Sequence, residues 1–245
     1  MIQDRRRIVM FSKAARVQVR KFHRWAGILI GIQLLLWITS GVYFAWVPIQ
    51  VIRDDDRKTE SAVSALPLNQ VVPASTLKIP ANFVTKTLRL EQAPAGLFYR
   101  LESTAGAVAV FDALTGEPGP QLSSERAIQF AMQQIQSQDK PSQVQLLETR
   151  TEDYKGPIPV YQILLPDVRG TRLYVDPWSG RVLARRNMFW RVYDFLWMLH
   201  IMDFKEREDF NNPWLKGLSL GALGLWLSGY FLIGLGRAPR RKHPA

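Results

Sequence analysis

Two long apolar runs frame the chain. The first lies within His23–Pro48, HRWAGILIGIQLLLWITSGVYFAWVP, where residues 26–47 carry no formal charge. About 22 residues at a rise of about 1.5 Å each cover a hydrocarbon core of roughly 30 Å, which predicts a transmembrane helix over residues 25–48. Its polar residues are mild (Gln33, Thr39, Ser40, Tyr43), and Trp25, Tyr43 and Trp46 fall near its ends, where an aromatic ring meets lipid and headgroup together. The run outlasts a signal-peptide core, begins late, and ends in bulky VYFAWVP with no small-x-small cleavage site, so an uncleaved anchor is expected. The second run, GLSLGALGLWLSGYFLIGLG, ends at Gly236 and predicts a second crossing within residues 213–236. Gly27 with Gly31, Gly217 with Gly221, and Gly224 with Ser228 place small residues at helical spacing. Such faces let backbones approach closely, so these helices should meet each other, a second copy in a homodimer, or another chain in a hetero-complex.

Between the runs the pattern is that of a water-soluble α+β domain. YRLESTAGAVAVFDALTGEP and YQILLPDVRGTRLYVDPWSGRV share one layout: strand, link, strand, then Asp-x-x-Thr/Ser-Gly. Asp112 and Gly116 correspond to Asp176 and Gly180, which marks an internal repeat of hairpins closed by Asp and Gly turn chemistry. LSSERAIQFAMQQIQSQ places Ala127, Ile128, Ala131, Met132 and Ile135 at helical spacing, with Ser124 as the expected N-cap and Glu125 at the positive helix end. Strands are expected at Val144–Leu147, Val160–Leu165 and Arg172–Val175. The earlier copy, LPLNQVVPAS followed by Thr87–Leu90 and the first hairpin, predicts a weaker helix on a second antiparallel sheet. RDDDRK, after Pro48, reads as a solvated charge cluster and linker.

Residues 188–204, MFWRVYDFLWMLHIMDF, are very apolar yet contain Arg191, Asp194 and Asp203. Charges are costly at a bilayer centre, so residues 188–212 are expected as an amphipathic interfacial helix and loop, with Arg191 and Asp194 on one stripe.

Charge changes the picture through its distribution. Of 32 Lys/Arg and 21 Asp/Glu, eight basic residues and one acid lie in residues 1–24, and four basic residues with no acid in 237–245. The whole excess of +11 therefore flanks the apolar runs, and the rest sums to zero. Lysine and arginine concentrate on the cytoplasmic side, so the expected topology is a basic cytoplasmic leader (1–24), a periplasmic domain (49–187) and a basic cytoplasmic tail (237–245). Nucleic-acid binding is not expected. Cysteine is absent, which excludes disulfides, thiolate metal sites and covalently attached c-type haem.

The helix-then-hairpin unit carrying FDALTGE and YVDPWSGRV resembles the PepSY domain, and HRWAGILIGIQLLLWITSGVYF resembles the transmembrane helix of bacterial PepSY-associated membrane proteins. The resemblance implies a two-pass protein of the bacterial inner membrane. Some relatives of this architecture are similar to reductases that release iron from ferric siderophores, with haem b in the membrane region. Those commonly have four membrane helices, and this chain offers two.

There are three histidines, and His243 lies in the basic tail. His23 sits where the first helix enters the bilayer, with Gly27 and Gly31 on the same face. The two glycines either clear a face for a flat macrocycle ligated by His23 or only pack helices while His23 snorkels to the headgroups. His200 lies among Trp197, Met198, Leu199, Ile201 and Met202, surroundings suited to a haem edge, with Arg191, Lys205 and Arg207 near enough in sequence to neutralise propionates. Alternatively His200 hydrogen-bonds Asp194 or Asp203. The resemblance implies His23 and His200 as iron ligands. No H-E-x-x-H or phosphate-loop pattern occurs, and no flavin or nicotinamide signature, so a redox role would borrow its electrons from elsewhere. The competing expectation is a non-catalytic anchor whose soluble domain binds a protein partner, such as a peptidase or a transport component.

Overall fold

The computed structural model describes residues 13–59 and 68–236. The chain forms two compact units, one of Val47–Val192, the other containing the first helix and the residues from Tyr193 onward.

In the Val47–Val192 unit, antiparallel strands β1 (Thr85–Ala93), β2 (Gly96–Ser103) and β3 (Val108–Asp112) form one sheet, and β4 (Gln143–Leu147), β5 (Val160–Leu164), β6 (Arg172–Val175) and β7 (Val182–Arg186) form another. Alternation along β5 and β6 turns Ile163, Leu173 and Val175 onto one face. There they pack with Ala127, Ala131 and Ile135 at helix α3 (Ser124–Gln133). Leu97, Tyr99, Leu101, Phe111 and Leu77 form the core of the first sheet. Ser123, not Ser124, caps α3, its hydroxyl accepting from the Arg126 amide. No α-helix stands against the first sheet among the described residues. The described part of LPLNQVVPAS, from Leu68 on, makes two short 3-10 turns, Leu68–Gln70 and Ala74–Thr76, with Pro73 between them unable to donate a helical hydrogen bond.

The repeated turns match atom for atom. Asp112 Oδ1 accepts from the amides of Leu114 and Thr115, and Asp176 Oδ1 from those of Trp178 and Ser179. Gly116 and Gly180 close them at φ +77° and +68°, where a side chain is disfavoured. A Cβ at Gly116 would only touch Val72 at 3.4 Å, whereas one at Gly180 would come within 2.7 Å of Phe130. Gly116→Val should therefore cost at least about 1 kcal/mol and Gly180→Val clearly more, and equal melting temperatures for the two variants would contradict this account.

RDDDRK is not a solvated linker. After the short helix α2 (Ile49–Ile52), Asp54 is fully buried in the left-handed region at φ 60°. It accepts from Arg57, Arg169 and the Asn187 side chain, while Arg57 also reaches Asp167 at 2.8 Å and Arg169 reaches Asp56 at 2.9 Å. The hydrogen bond from Arg169 holds the Asp56 carboxyl below its ordinary value. Burial works against Asp167, but hydrogen bonds from Thr171 and Arg57 outweigh it and hold that carboxyl low as well. Depressed folded values give stability that is present above the ordinary value of 3.8 and lost as pH falls through the lower folded values. The melting temperature of this unit should be flat near neutrality and fall only in acid.

In the other unit, α1 (Lys13–Trp46) runs without interruption and ends just before Pro48, and α5 (Pro213–Gly236) lies antiparallel to it. Gly221 meets Ile30, Leu225 meets Gly27, and Gly229 meets His23, whereas Gly31, Gly217 and Gly224 face open space. Half of the expected small-residue contacts are thus made within one chain. Among the described residues, two helices are long and apolar enough to cross a membrane, over Val17–Trp46 and Pro213–Ile233. Large apolar side chains point outward along both, among them Leu29, Leu35, Leu220 and Trp226. Asn212 caps α5 by accepting from the Leu215 amide, with Pro213 at the first helical position where no donor is needed.

Candidate functional site

Helix α4 (Met188–Ile201) delivers His200. The last carbonyls of a helix lack intrahelical donors, and three here are met by side chains. Gln33 donates to Leu199 O at 3.0 Å, Trp37 to His200 O at 2.8 Å, and Asn212 to Ile201 O at 2.8 Å. Gln33 and Trp37 are polar positions inside the apolar run of α1, and this is their use. The end of the expected interfacial helix therefore lies beside the middle of that run, with Met202 closing it at φ 57°.

His200 Nδ1 lies 2.7 Å from Ser40 Oγ, and its ring is surrounded by Trp37, Phe44 and Trp197 at centroid distances of 6.2, 5.7 and 6.2 Å. His23 is built the same way at the other end of the pair. Its Nδ1 lies 2.8 Å from Ser228 Oγ, and its ring rests on Gly229, where a Cβ would stand 3.1 Å from Cε1. Neither histidine bonds to Asp194 or Asp203. Arg207 pairs with Asp194, and Arg191 lies 3.3 Å from Asp153 and donates to Gly170 O, so both of these expected propionate partners are already engaged.

The serines determine which ring nitrogen is free. Ser40 Oγ donates to Trp37 O at 3.0 Å, and Ser228 Oγ donates to Leu225 O at 2.7 Å. A hydroxyl has one hydrogen. With that hydrogen given to the helix carbonyl, each oxygen accepts from its histidine, which places the ring hydrogen on Nδ1 and the lone pair on Nε2. No hydrogen bond reaches either Nε2 among the described residues. An Nδ1–H fixed by a neighbouring oxygen, with Nε2 left as a base, is how a metal-ligating imidazole is held. The donor atoms thus fit an iron ligand at both positions.

The histidines are not brought together. On α1, His23 and Ser40 are about 17 positions apart, or roughly 25 Å at about 1.5 Å per residue. The face at Gly27 is not cleared for a macrocycle, because Leu225 from α5 occupies it, while Gly31 stays open. His243 lies outside the described residues. Ser40 and Ser228 escaped sequence reasoning, although a signal exists: each is followed by glycine and preceded closely by tryptophan, WITSG and WLSG. The two pairs are reciprocal, the first run supplying a histidine to the second run's serine and a serine to the later histidine.

No family model, no curated protein and no solved structure matches the chain.

Proposed function

We propose that the chain is a two-pass protein of the bacterial inner membrane, PepSY-like in its periplasmic domain, that holds haem b at His23 and His200 and passes electrons from a cytoplasmic donor to a periplasmic ferric species, such as a ferric siderophore. The observation that carries this reading is the paired Nδ1 hydrogen bonding, which leaves both Nε2 atoms as unengaged bases at two separate levels of one helix. Haem bound there would supply one-electron chemistry. Ser40 and Ser228 orient the rings, and Trp37, Phe44 and Trp197 exclude water around His200. Because the levels are roughly 25 Å apart, one chain does not place both imidazoles on one iron, so each needs a second ligand, and a symmetric homodimer supplies both. The outward apolar surfaces of α1 and α5 support lipid as their surroundings.

A second reading is kept because one observation favours it. Leu225 fills the face at Gly27, as helix packing alone requires, and a non-catalytic anchor that binds a protein partner needs no more than that. Proteoliposomes separate the two: with reductant sealed inside and a ferric chelate outside, the haem reading predicts reduction that depends on the protein, and leakage-level reduction supports the anchor. Topology is tested by reporter fusions. Alkaline phosphatase should be active at Lys140 and inactive at Ala245, and activity at both positions would remove the two-crossing arrangement.

A further inference from the structure

The Val47–Val192 unit contains a cleft of about 680 Å³ whose rim joins the β1–β2 turn, the end of α3 and the start of β7. Lys58, Arg181 and Arg185 line it together with Thr59, Gln92 and Gln133, and among the described residues no carboxylate does. Arg181 and Arg185 are four positions apart along extended chain and so share one face.

The charges here are handled unlike those elsewhere in the unit. Arg57 and Arg169 are each closed on carboxylates at 2.8–3.1 Å. In the cleft, Arg181 is 3.6 Å from Glu91, which also serves Arg100 at 3.7 Å, and Arg185 is 3.8 Å from an exposed Asp55. Lys58 has no ion pair among the described residues, and its side chain is exposed. Arg185 is nine-tenths buried, and its Nε is a buried donor with no acceptor. A donor left in that state costs free energy that a bound oxyanion can recover by drawing the guanidinium toward it. Burial also holds the Arg185 guanidinium below its ordinary value, the charges of Asp55 and Asp54 offsetting it only in part.

The cleft is held in shape before anything binds. Arg181 donates to Gln92 O at 2.7 Å and Arg185 to Gln134 O. The Gln134 side chain is fully used, donating to Phe130 O and Gly180 O and accepting from the Val182 amide. A preformed polar cleft of this volume is of the size that takes a small organic molecule rather than a lone inorganic ion. We propose that it binds a small organic acid carrying two or more carboxylates, one engaged by Arg181 and Arg185 and another by Lys58. The proposal goes beyond the membrane reading and does not depend on haem.

The test is calorimetric titration of the full-length protein in detergent with citrate, and in parallel with inorganic phosphate, on haem-loaded and haem-free protein alike. Citrate should bind in both forms and more tightly than phosphate. Lys58→Gln and Arg181→Gln, both at solvent-accessible side chains, should each weaken citrate about tenfold or more while leaving the melting temperature in place. Absence of citrate binding at millimolar concentration would overturn the proposal, as would citrate affinity unchanged in both variants. Phosphate binding as tight as citrate would overturn the organic-acid assignment.

Discussion

Replacing Asp54 with alanine should destabilise the Val47–Val192 unit by about 3–5 kcal/mol, the range for removing one partner from a buried ionic network. The carboxylate is fully buried and is the shared acceptor for Arg57, Arg169 and the Asn187 amide. Without it, among the described residues Arg57, whose side chain is 17% exposed, keeps Asp167 and Thr171, and the Asn187 side-chain amide keeps Val51 O as its acceptor. Asn187 also caps α4 through the Trp190 amide, so the loss extends to the start of that helix. Asp54→Asn should cost less, because asparagine tolerates the left-handed backbone at φ 60° and keeps one acceptor oxygen. Thermal unfolding followed on both variants checks this, and a loss at Asp54→Ala no greater than that of an exposed substitution would mean the network is not structural.

His23→Ala and His200→Ala should each remove about half of the bound haem, and ferric reduction should fail in both. The expectation follows from two ligands roughly 25 Å apart on one scaffold, each with its own serine. Ser40→Ala and Ser228→Ala are the milder companions. Each leaves the imidazole in place but frees its Nδ1–H, and such supporting bonds are worth about 10–100-fold in metal affinity. The reduction potential of the corresponding site should shift as well, a change that a merely packing role for serine would not produce. Threonine at either position retains the hydroxyl and should restore the potential. Complete haem loss from either single histidine substitution would mean one shared site.

What the sequence disclosed and what it withheld divide by the range of the interactions. The Asp112–Gly116 and Asp176–Gly180 turns were readable because all their chemistry is local: a carboxylate bonding amides two and three residues on, and a glycine at positive φ. The amphipathic period of α3 was equally local, and its cap was misplaced by one residue because two serines stand side by side at Ser123 and Ser124. The first unit's helix failed at Pro73, a stop signal within LPLNQVVPAS. RDDDRK looked solvated because its partners Asp167, Arg169 and Asn187 lie over a hundred positions away. His23 and His200 could be singled out as rare residues in apolar surroundings, whereas the hydrogen bonds that fix their tautomers come from other helices and leave only the faint mark of a Ser-Gly pair after tryptophan.

The most direct measurement is the absorbance spectrum of the full-length protein purified from membranes of haem-replete bacteria. The account predicts a red preparation with the Soret and reduced-state bands of six-coordinate b-type haem, because a symmetric homodimer would bring two equivalent Nε2 atoms, one from each chain, to each haem. Protein recovered in full yield with no haem absorbance, and taking up none when haem is added, would contradict it and leave the membrane anchor as the reading of this chain.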